Sequence, residues 1–366
     1  MKLAIHLPGL NGIRAIASLA VVVSHTTIAL NTFGVNTSGF GSFAQGLDLA
    51  GFGVTMFFCL SGFLITYLLL HEKEVTHTVN VRSFYMRRVL RIWPLYYAFI
   101  VVSVFYLWFK GENLDLSKLM LYIFLLGNFV FNPIPLIGHY WSLGVEEQFY
   151  AFWPWLARLN RKKLFYLSSF LIIIGVGAKL YIRLFIPNFD MSLAYKIVHG
   201  TRFHCMAIGA VGSILFFERR IWFLNLCQNS LTQGVVFISL GAMLVNRFHF
   251  ASFMDMEIVA CLTVALIVGQ LDLEKRKINL DTKFFDFFGR ISFSVYVLHP
   301  IFIDIFSKPI YDLHLSNSLS IPLIYTLVIG VTILVAYISY NYFEKPFLRI
   351  KTKYTIVASS ASKQLN

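Results

Sequence analysis

A succession of apolar runs, each about 20 residues long and separated by short polar connectors, constrains this chain more than any other feature. They lie near 12–30, 47–70, 92–109, 117–132, 141–157, 164–185, 202–217, 231–247, 256–271, 287–307 and 320–342. A run of this length in hydrocarbon must satisfy its backbone N–H and C=O groups internally, which a helix does. The predicted fold is therefore an all-α polytopic membrane protein. Composition agrees: 57% of residues are hydrophobic and 13% charged, where a soluble domain carries about 25% charged residues. The 37 Phe suit lipid-facing and interhelical packing, and Trp and Tyr suit the interfaces.

The charges orient the runs. Formal net charge is +13, which on a soluble protein would suggest a nucleic-acid partner. Here the basic residues gather in connectors at 82–91, 158–163, 219–220, 275–283 and 345–353. Basic connectors stay in the cytoplasm, so the partner they imply is the lipid bilayer, not nucleic acid. An even number of crossings must separate each pair. Between 91 and 158 the candidates are odd in number. The weakest is 117–132, which is short and runs into Gly127, Asn128, Asn132 and Pro133. Read as a re-entrant or short helix, it leaves about ten transmembrane helices with both termini cytoplasmic. Of 31 Lys and Arg, all but Lys110, Lys118, Lys179, Arg183, Lys196, Arg202, Arg247 and Lys308 then fall on the cytoplasmic side.

No linker, repeat or appended soluble domain interrupts the pattern. The reading is one transmembrane domain over 1–345 and a basic cytoplasmic tail over 346–366, expected to be disordered. The first run carries Arg14 and has no small-residue cleavage site, so it reads as retained. The 4 Cys have no metal-type spacing and read as packing residues, and no metal is expected.

Arg14 and His25 lie in the first run with ten residues between them. Eleven helical steps return to within about 20° of the start and advance about 16 Å, so both share one face. Arg14 falls at the cytoplasmic edge and His25 past the midplane. Alone, Arg14 reads equally as a snorkelling anchor, and His25 as a polar bond to a neighbouring helix. Ionisable residues inside the membrane are nonetheless candidates for function.

Three further groups stand out. Arg87, Arg88 and Arg91 crowd one short stretch ahead of Trp93, Pro94, Tyr96 and Tyr97. Guanidiniums bind phosphate bidentately and stack on rings, so the group reads as a polyphosphate clamp or as positive-inside anchoring. Ser142, Glu146 and Tyr150, spaced by four, share a face, with Glu147 directed elsewhere. Entering from outside, this helix carries Glu146 to about 8 Å below the outer surface, for chemistry or an interhelical bond. Ser292 and His299 share a face of a helix that starts inside, which sets His299 about as deep as His25. His25, His299 and Glu146 could line one polar cavity. Nucleotide, serine-hydrolase and zinc-protease motifs are missing.

With these residues in order, the chain resembles the acyltransferase-3 family of bacterial integral-membrane O-acyltransferases. The resemblance is carried by GLNGIRAIASLAVVVSH, by GVTMFFCLSGFLIT, by RRVLRIWPLYY, by HYWSLGVEEQFY, by GRISFSVYVLHP and by FEKPF at 343–347. It covers most of the chain. It implies cytoplasmic acyl-CoA, with acetyl-CoA expected, as donor substrate. The implied acceptor is a carbohydrate hydroxyl reached from the other side, on lipopolysaccharide O-antigen or exopolysaccharide. It also implies location in the bacterial cytoplasmic (inner) membrane. By resemblance His25 is catalytic, and Arg14, Arg88 and Arg91 are partners around CoA. Thr55 stands where many relatives carry an acidic residue, so no carboxylate role is assigned there. Some relatives carry a fused extracytoplasmic domain that finishes the transfer; a separate extracytoplasmic transferase is the alternative for this chain.

The expected mechanism has donor phosphates on Arg87, Arg88, Arg91 and Arg14, the thioester near His25, and His25 as general base or acyl carrier. Glu146 or His299 orients it or the acceptor. Rival readings are an acyltransferase for a small molecule and a transporter or flippase for a lipid-linked sugar. A transporter would also use intramembrane His and Glu, although no paired repeats are visible.

Overall fold

The computed structural model describes residues 3–35, 48–187, 192–244 and 254–359. The end of the run read over 231–247, Arg247 with it, and residues 360–366 of the tail lie outside the described residues. The helices are α1 (Leu10–Thr32), α2 (Leu49–Thr76), α3 (Val81–Phe109), α4 (Leu116–Ile123), α5 (Trp141–Leu156), α6 (Arg161–Phe185) and α7 (Leu193–Thr201). They continue as α8 (Phe203–Phe217), α9 (Ile221–Gln228), α10 (Ser230–Leu244), α11 (Asp255–Leu271), α12 (Lys283–Tyr311), α13 (Asn317–Ile338) and α14 (Lys345–Lys351). Among the described residues, seven stretches are long and apolar enough to cross a membrane: α1, α2, α3, α6, α7 with α8, α12, and Asn317–Tyr354. Phe109, Ile173 and Leu231 keep large apolar side chains exposed, as a lipid-facing surface does. The chain is a multi-pass membrane protein.

Several boundaries differ from the sequence reading, each for a local reason. The basic stretch 82–91 is no connector. It forms the first turns of α3, started by Asn80, whose side chain accepts from the Ser83 N–H at 2.9 Å. α3 continues through Pro94. The run 117–132 takes up the eight-residue α4, about 12 Å long and too short to cross, and a 3-10 turn at Gly127–Phe129. Asp115 caps α4, and the Lys118 backbone N–H holds its carboxyl below the usual carboxylate range. The run at 202–217 is preceded by a second short helix, α7, and Arg202 joins the two at φ 41.

The chain clusters into two compact units. One comprises residues 58–224 with the segments 3–5 and 350–359; the other comprises 6–57 and 225–349.

In the first unit α2 and α8 meet backbone to backbone. A Cβ on Gly62 would collide with the Met206 carbonyl, and one on Gly209 with that of Cys59. Small residues permit this approach, which is how helices pack where lipid removes the hydrophobic drive. Trp153 is fully buried and donates to Thr66 Oγ1 at 2.9 Å. Tyr96 stacks on Tyr140 at 4.3 Å and donates to the Tyr122 carbonyl at 2.6 Å, tying α3 to the turn before α5 and to α4.

The tail is ordered through 359, against the expected disorder from 346. α14 is followed by a turn at Thr352–Tyr354, and Val357–Ser359 pairs in parallel with Leu3–Ile5. The Tyr354 carbonyl accepts from Arg87 Nη1 at 2.8 Å. These partners satisfy backbone groups that a free tail would leave to water.

In the second unit α1 and α12 run parallel and adjacent. Asn11 bonds Asp286, His25 meets His299, and Phe33 stacks on Tyr311 at 5.5 Å. Gly289 sits so close to Asn11 that a Cβ would strike its backbone. α13 packs beside both, with Thr27 and Tyr325 hydroxyls 2.6 Å apart. Val22, Leu30, Ile291, Val295, Ile303, Ile324 and Val328 fill the core between them. Gln270, fully buried, accepts from the Leu280 N–H and donates to the Ile278 carbonyl, which fixes the loop before α12.

Candidate functional site

The α1–α12 pairing brings the two predicted histidines into contact. His25 Nδ1 lies 2.8 Å from His299 Nε2. His299 is fully buried and His25 half-buried. The helices run parallel, so Asn11 and His25, fourteen apart on α1, meet Asp286 and His299, thirteen apart on α12.

Backbone geometry then assigns the protons. His299 Nδ1 lies 2.8 Å from the Tyr296 carbonyl and 3.2 Å from that of Val295. A carbonyl only accepts, so His299 Nδ1 carries hydrogen. In a neutral ring the Nε2 is then a bare acceptor. His25 Nδ1 must donate to it, which leaves the lone pair of a neutral His25 on Nε2. One imidazole thus sets the tautomer of the other, the role a carboxylate plays beside a catalytic histidine elsewhere.

Arg14 occupies the start of the same helix. Its Nη1 donates to Asn11 Oδ1 at 3.1 Å, Asn11 Nδ2 donates to Asp286 Oδ1 at 2.7 Å, and Arg290 pairs with Asp286 at 3.2 Å. Two guanidiniums therefore stand at one end of the α1–α12 pair, with the imidazoles further along. Asp48, which the sequence reading passed over, lies within electrostatic reach of His25 and accepts from the Gly51 N–H at 2.6 Å.

In the other unit the arginine cluster divides. Arg87 pairs with Glu72 at 2.9 Å, with side chains 11% and 2% exposed, and also reaches Tyr354. Arg88 turns away, over the Tyr150 ring at 5.4 Å and the Phe84 ring at 5.9 Å. Arg91 lies one turn further along α3, half-buried. Glu146 accepts from Ser61 Oγ at 3.0 Å and from the Tyr150 hydroxyl at 3.1 Å, so it joins α2 to α5.

The neighbour set aside in the sequence lines the cavity. Glu147 accepts from Trp93 Nε1 at 3.0 Å. It shares with Arg88, Trp93, Tyr85, Gln148 and Tyr150 the wall of a cavity of about 370 Å³. Two carboxylates adjacent on a helix must face different neighbours, and α3 supplies those of Glu147; that was the available signal. Among the described residues no group of three or more His, Cys, Asp and Glu is placed to hold a metal ion.

Comparison with known proteins follows the same residues. The profile of the acyltransferase-3 family, described as an acyltransferase domain, matches residues 7–341. A Staphylococcus aureus (strain COL) protein provisionally named O-acetyltransferase SACOL0978 is 26% identical over 93% of this chain and 57% of its own length. Peptidoglycan O-acetyltransferase OatA of Listeria monocytogenes is 32% identical over 52% of this chain and 31% of its own length. O-acetyltransferase OatA of Staphylococcus aureus (strain NCTC 8325) is 34% identical over 41% of this chain and 24% of its own length. The chain therefore spans little more than half the length of the curated relatives it matches. No solved structure matches it.

Proposed function

The chain belongs to the acyltransferase-3 family, and from that membership we propose that it is a membrane O-acyltransferase. It moves an acyl group, acetyl in the first instance, from cytoplasmic acyl-CoA to a hydroxyl of a cell-surface carbohydrate. The observation that carries this reading is the 2.8 Å contact between His25 and His299, with His299 Nδ1 committed to a backbone carbonyl.

His25 Nε2 takes the proton of the acceptor hydroxyl as its oxygen attacks the thioester carbonyl. The carbon–sulfur bond breaks, and the proton passes to the departing CoA sulfur. General-base help of this kind contributes about 10²–10⁴ in rate. The same lone pair could first take the acyl group, releasing the CoA thiol, and then yield it to the acceptor. In either route His299 holds the ring and its tautomer. Arg14 is the guanidinium we assign to the donor's phosphates. Arg87, already paired with Glu72, is assigned to holding the chain, and Glu146 to joining α2 and α5.

Orientation follows the charge pattern: about ten crossings, both termini in the cytoplasm, in the bacterial inner membrane. α1 and α12 are parallel, which agrees with both starting on one side. The printed name of the Listeria relative gives peptidoglycan as that protein's acceptor. For this chain it supports the carbohydrate class, within which O-antigen and exopolysaccharide also fall. The acyl group reaches the acceptor directly or through a separate extracytoplasmic transferase.

Mass spectrometry of surface glycans from cells with and without this chain tests the reading. An acetyl mass lost from one glycan and restored by the wild-type chain is the expected result. Unchanged glycans alongside altered uptake or export of a sugar lipid would overturn it in favour of a transporter.

A further inference from the structure

The cavity beside α3 and α5 has no part in the chemistry assigned to His25. It measures about 370 Å³, near the lower end of small-molecule sites. Its walls are largely aromatic and apolar: Tyr85, Trp93, Phe124 and Tyr150, with Leu125 and Val89. Into this setting the chain places one guanidinium and one carboxylate, Arg88 and Glu147.

Both are incompletely satisfied. Arg88 Nε and Glu147 Oε1 are buried and have no hydrogen-bond partner among the described residues. No ion pair joins them there, although both line the same wall. Each orphaned atom carries an uncompensated desolvation penalty, larger where the group is charged. Gln148 offers little, since its amide is taken by Asn128 Oδ1 at 2.7 Å and the Leu125 carbonyl at 3.1 Å. Trp93 Nε1 and Glu147 Oε2 satisfy each other.

A ligand that completes this site must donate a hydrogen bond to a carboxylate oxygen and accept one from a guanidinium N–H. It must also cover aromatic surface. Phosphate fits poorly, because it only accepts when fully ionised and would face the Glu147 carboxylate. A hydroxyl-bearing, uncharged molecule meets both demands, since a hydroxyl donates and accepts. We propose that the Arg88–Glu147 cavity binds the uncharged, hydroxyl-bearing part of one of the two substrates, with Glu147 as acceptor and Arg88 Nε as donor. This rests on the acyl-transfer reading for its two sources: a monosaccharide unit of the acceptor, or the pantetheine arm of the donor. It takes Arg88 from the phosphate role given to it by sequence.

Saturation-transfer NMR on the purified full chain in detergent tests it with a methyl hexoside, pantetheine and inorganic phosphate as separate probes. One of the two uncharged probes should bind, and phosphate should not compete with it. The binding probe names the source. Glu147→Gln, which keeps size and exchanges an acceptor for a donor, should weaken binding about tenfold. Arg88→Lys, which keeps the charge and loses Nε, should weaken it similarly. His25→Gln should leave it unchanged, which separates this site from the catalytic reading. Binding of neither uncharged probe overturns the proposal. So does phosphate binding that displaces the uncharged probe, or affinity unaltered by both variants of a chain that retains wild-type thermal stability.

Discussion

His25 Nδ1 lies 2.8 Å from His299 Nε2, and the other nitrogen of His299 is bound to the Tyr296 carbonyl. This chain of contacts runs one way in the neutral pair. It fixes which nitrogen of His25 faces the reaction, and a buried partner enforces it from a second helix.

His299→Ala removes the acceptor for His25 Nδ1–H and frees the ring to adopt the other tautomer. Its kcat should fall about 10²-fold or more, with donor KM little changed. His299→Gln, whose amide oxygen can still accept, should retain more activity than the alanine variant. Steady-state kinetics in detergent read both values.

Arg14→Ala should act on the donor instead. Losing one charge-assisted contact of about 1.5–3 kcal/mol raises donor KM about tenfold or more, with kcat nearly preserved. Asn11→Ala, which only removes the side chain that steadies Arg14, should have a smaller effect on the same constant.

Arg87 and Glu72 predict a stability effect. Glu72 is 2% exposed, accepts from the Asn80 N–H at 2.9 Å and pairs with Arg87. Glu72→Gln or Arg87→Ala leaves a buried charge without its partner and should cost about 3–5 kcal/mol. Thermal unfolding in detergent should show a lowered midpoint for each variant. The double substitution should cost less than the two single losses added together, because the second change removes the stranded charge.

The close approach of α2 and α8 gives a packing prediction. Gly209→Val must push against the Cys59 backbone and should destabilise by about 1–3 kcal/mol or more. Gly177, whose Cβ position is open, is the control: Gly177→Ala should be neutral or stabilising by up to about 1 kcal/mol.

Much of the α1–α12 site is visible in the sequence, because helical period and membrane depth are both set by residue number. Those two facts carry Arg14 and His25 to one face and His299 to matching depth. The position of Glu147 is not visible in the same way. Periodicity sets it off the Glu146 face but does not say that α3 brings Trp93 and Arg88 to meet it. Arg87 looks equivalent to Arg88 in the sequence and differs because Glu72 pairs with it and the Tyr354 carbonyl, far along the chain, accepts a hydrogen bond from it. Order in the tail escapes for the same reason. A three-residue strand has no signal of its own, and its partner, Leu3–Ile5, lies at the other end of the chain.

The central claim is that the free lone pair of His25 performs the transfer. Acetyl transfer from labelled acetyl-CoA by purified His25→Gln protein, matched to wild type in yield and thermal midpoint, tests it most directly. The account predicts that acyl incorporation and CoA thiol release fall together by about 10²-fold or more. Wild-type transfer by the folded variant would contradict it.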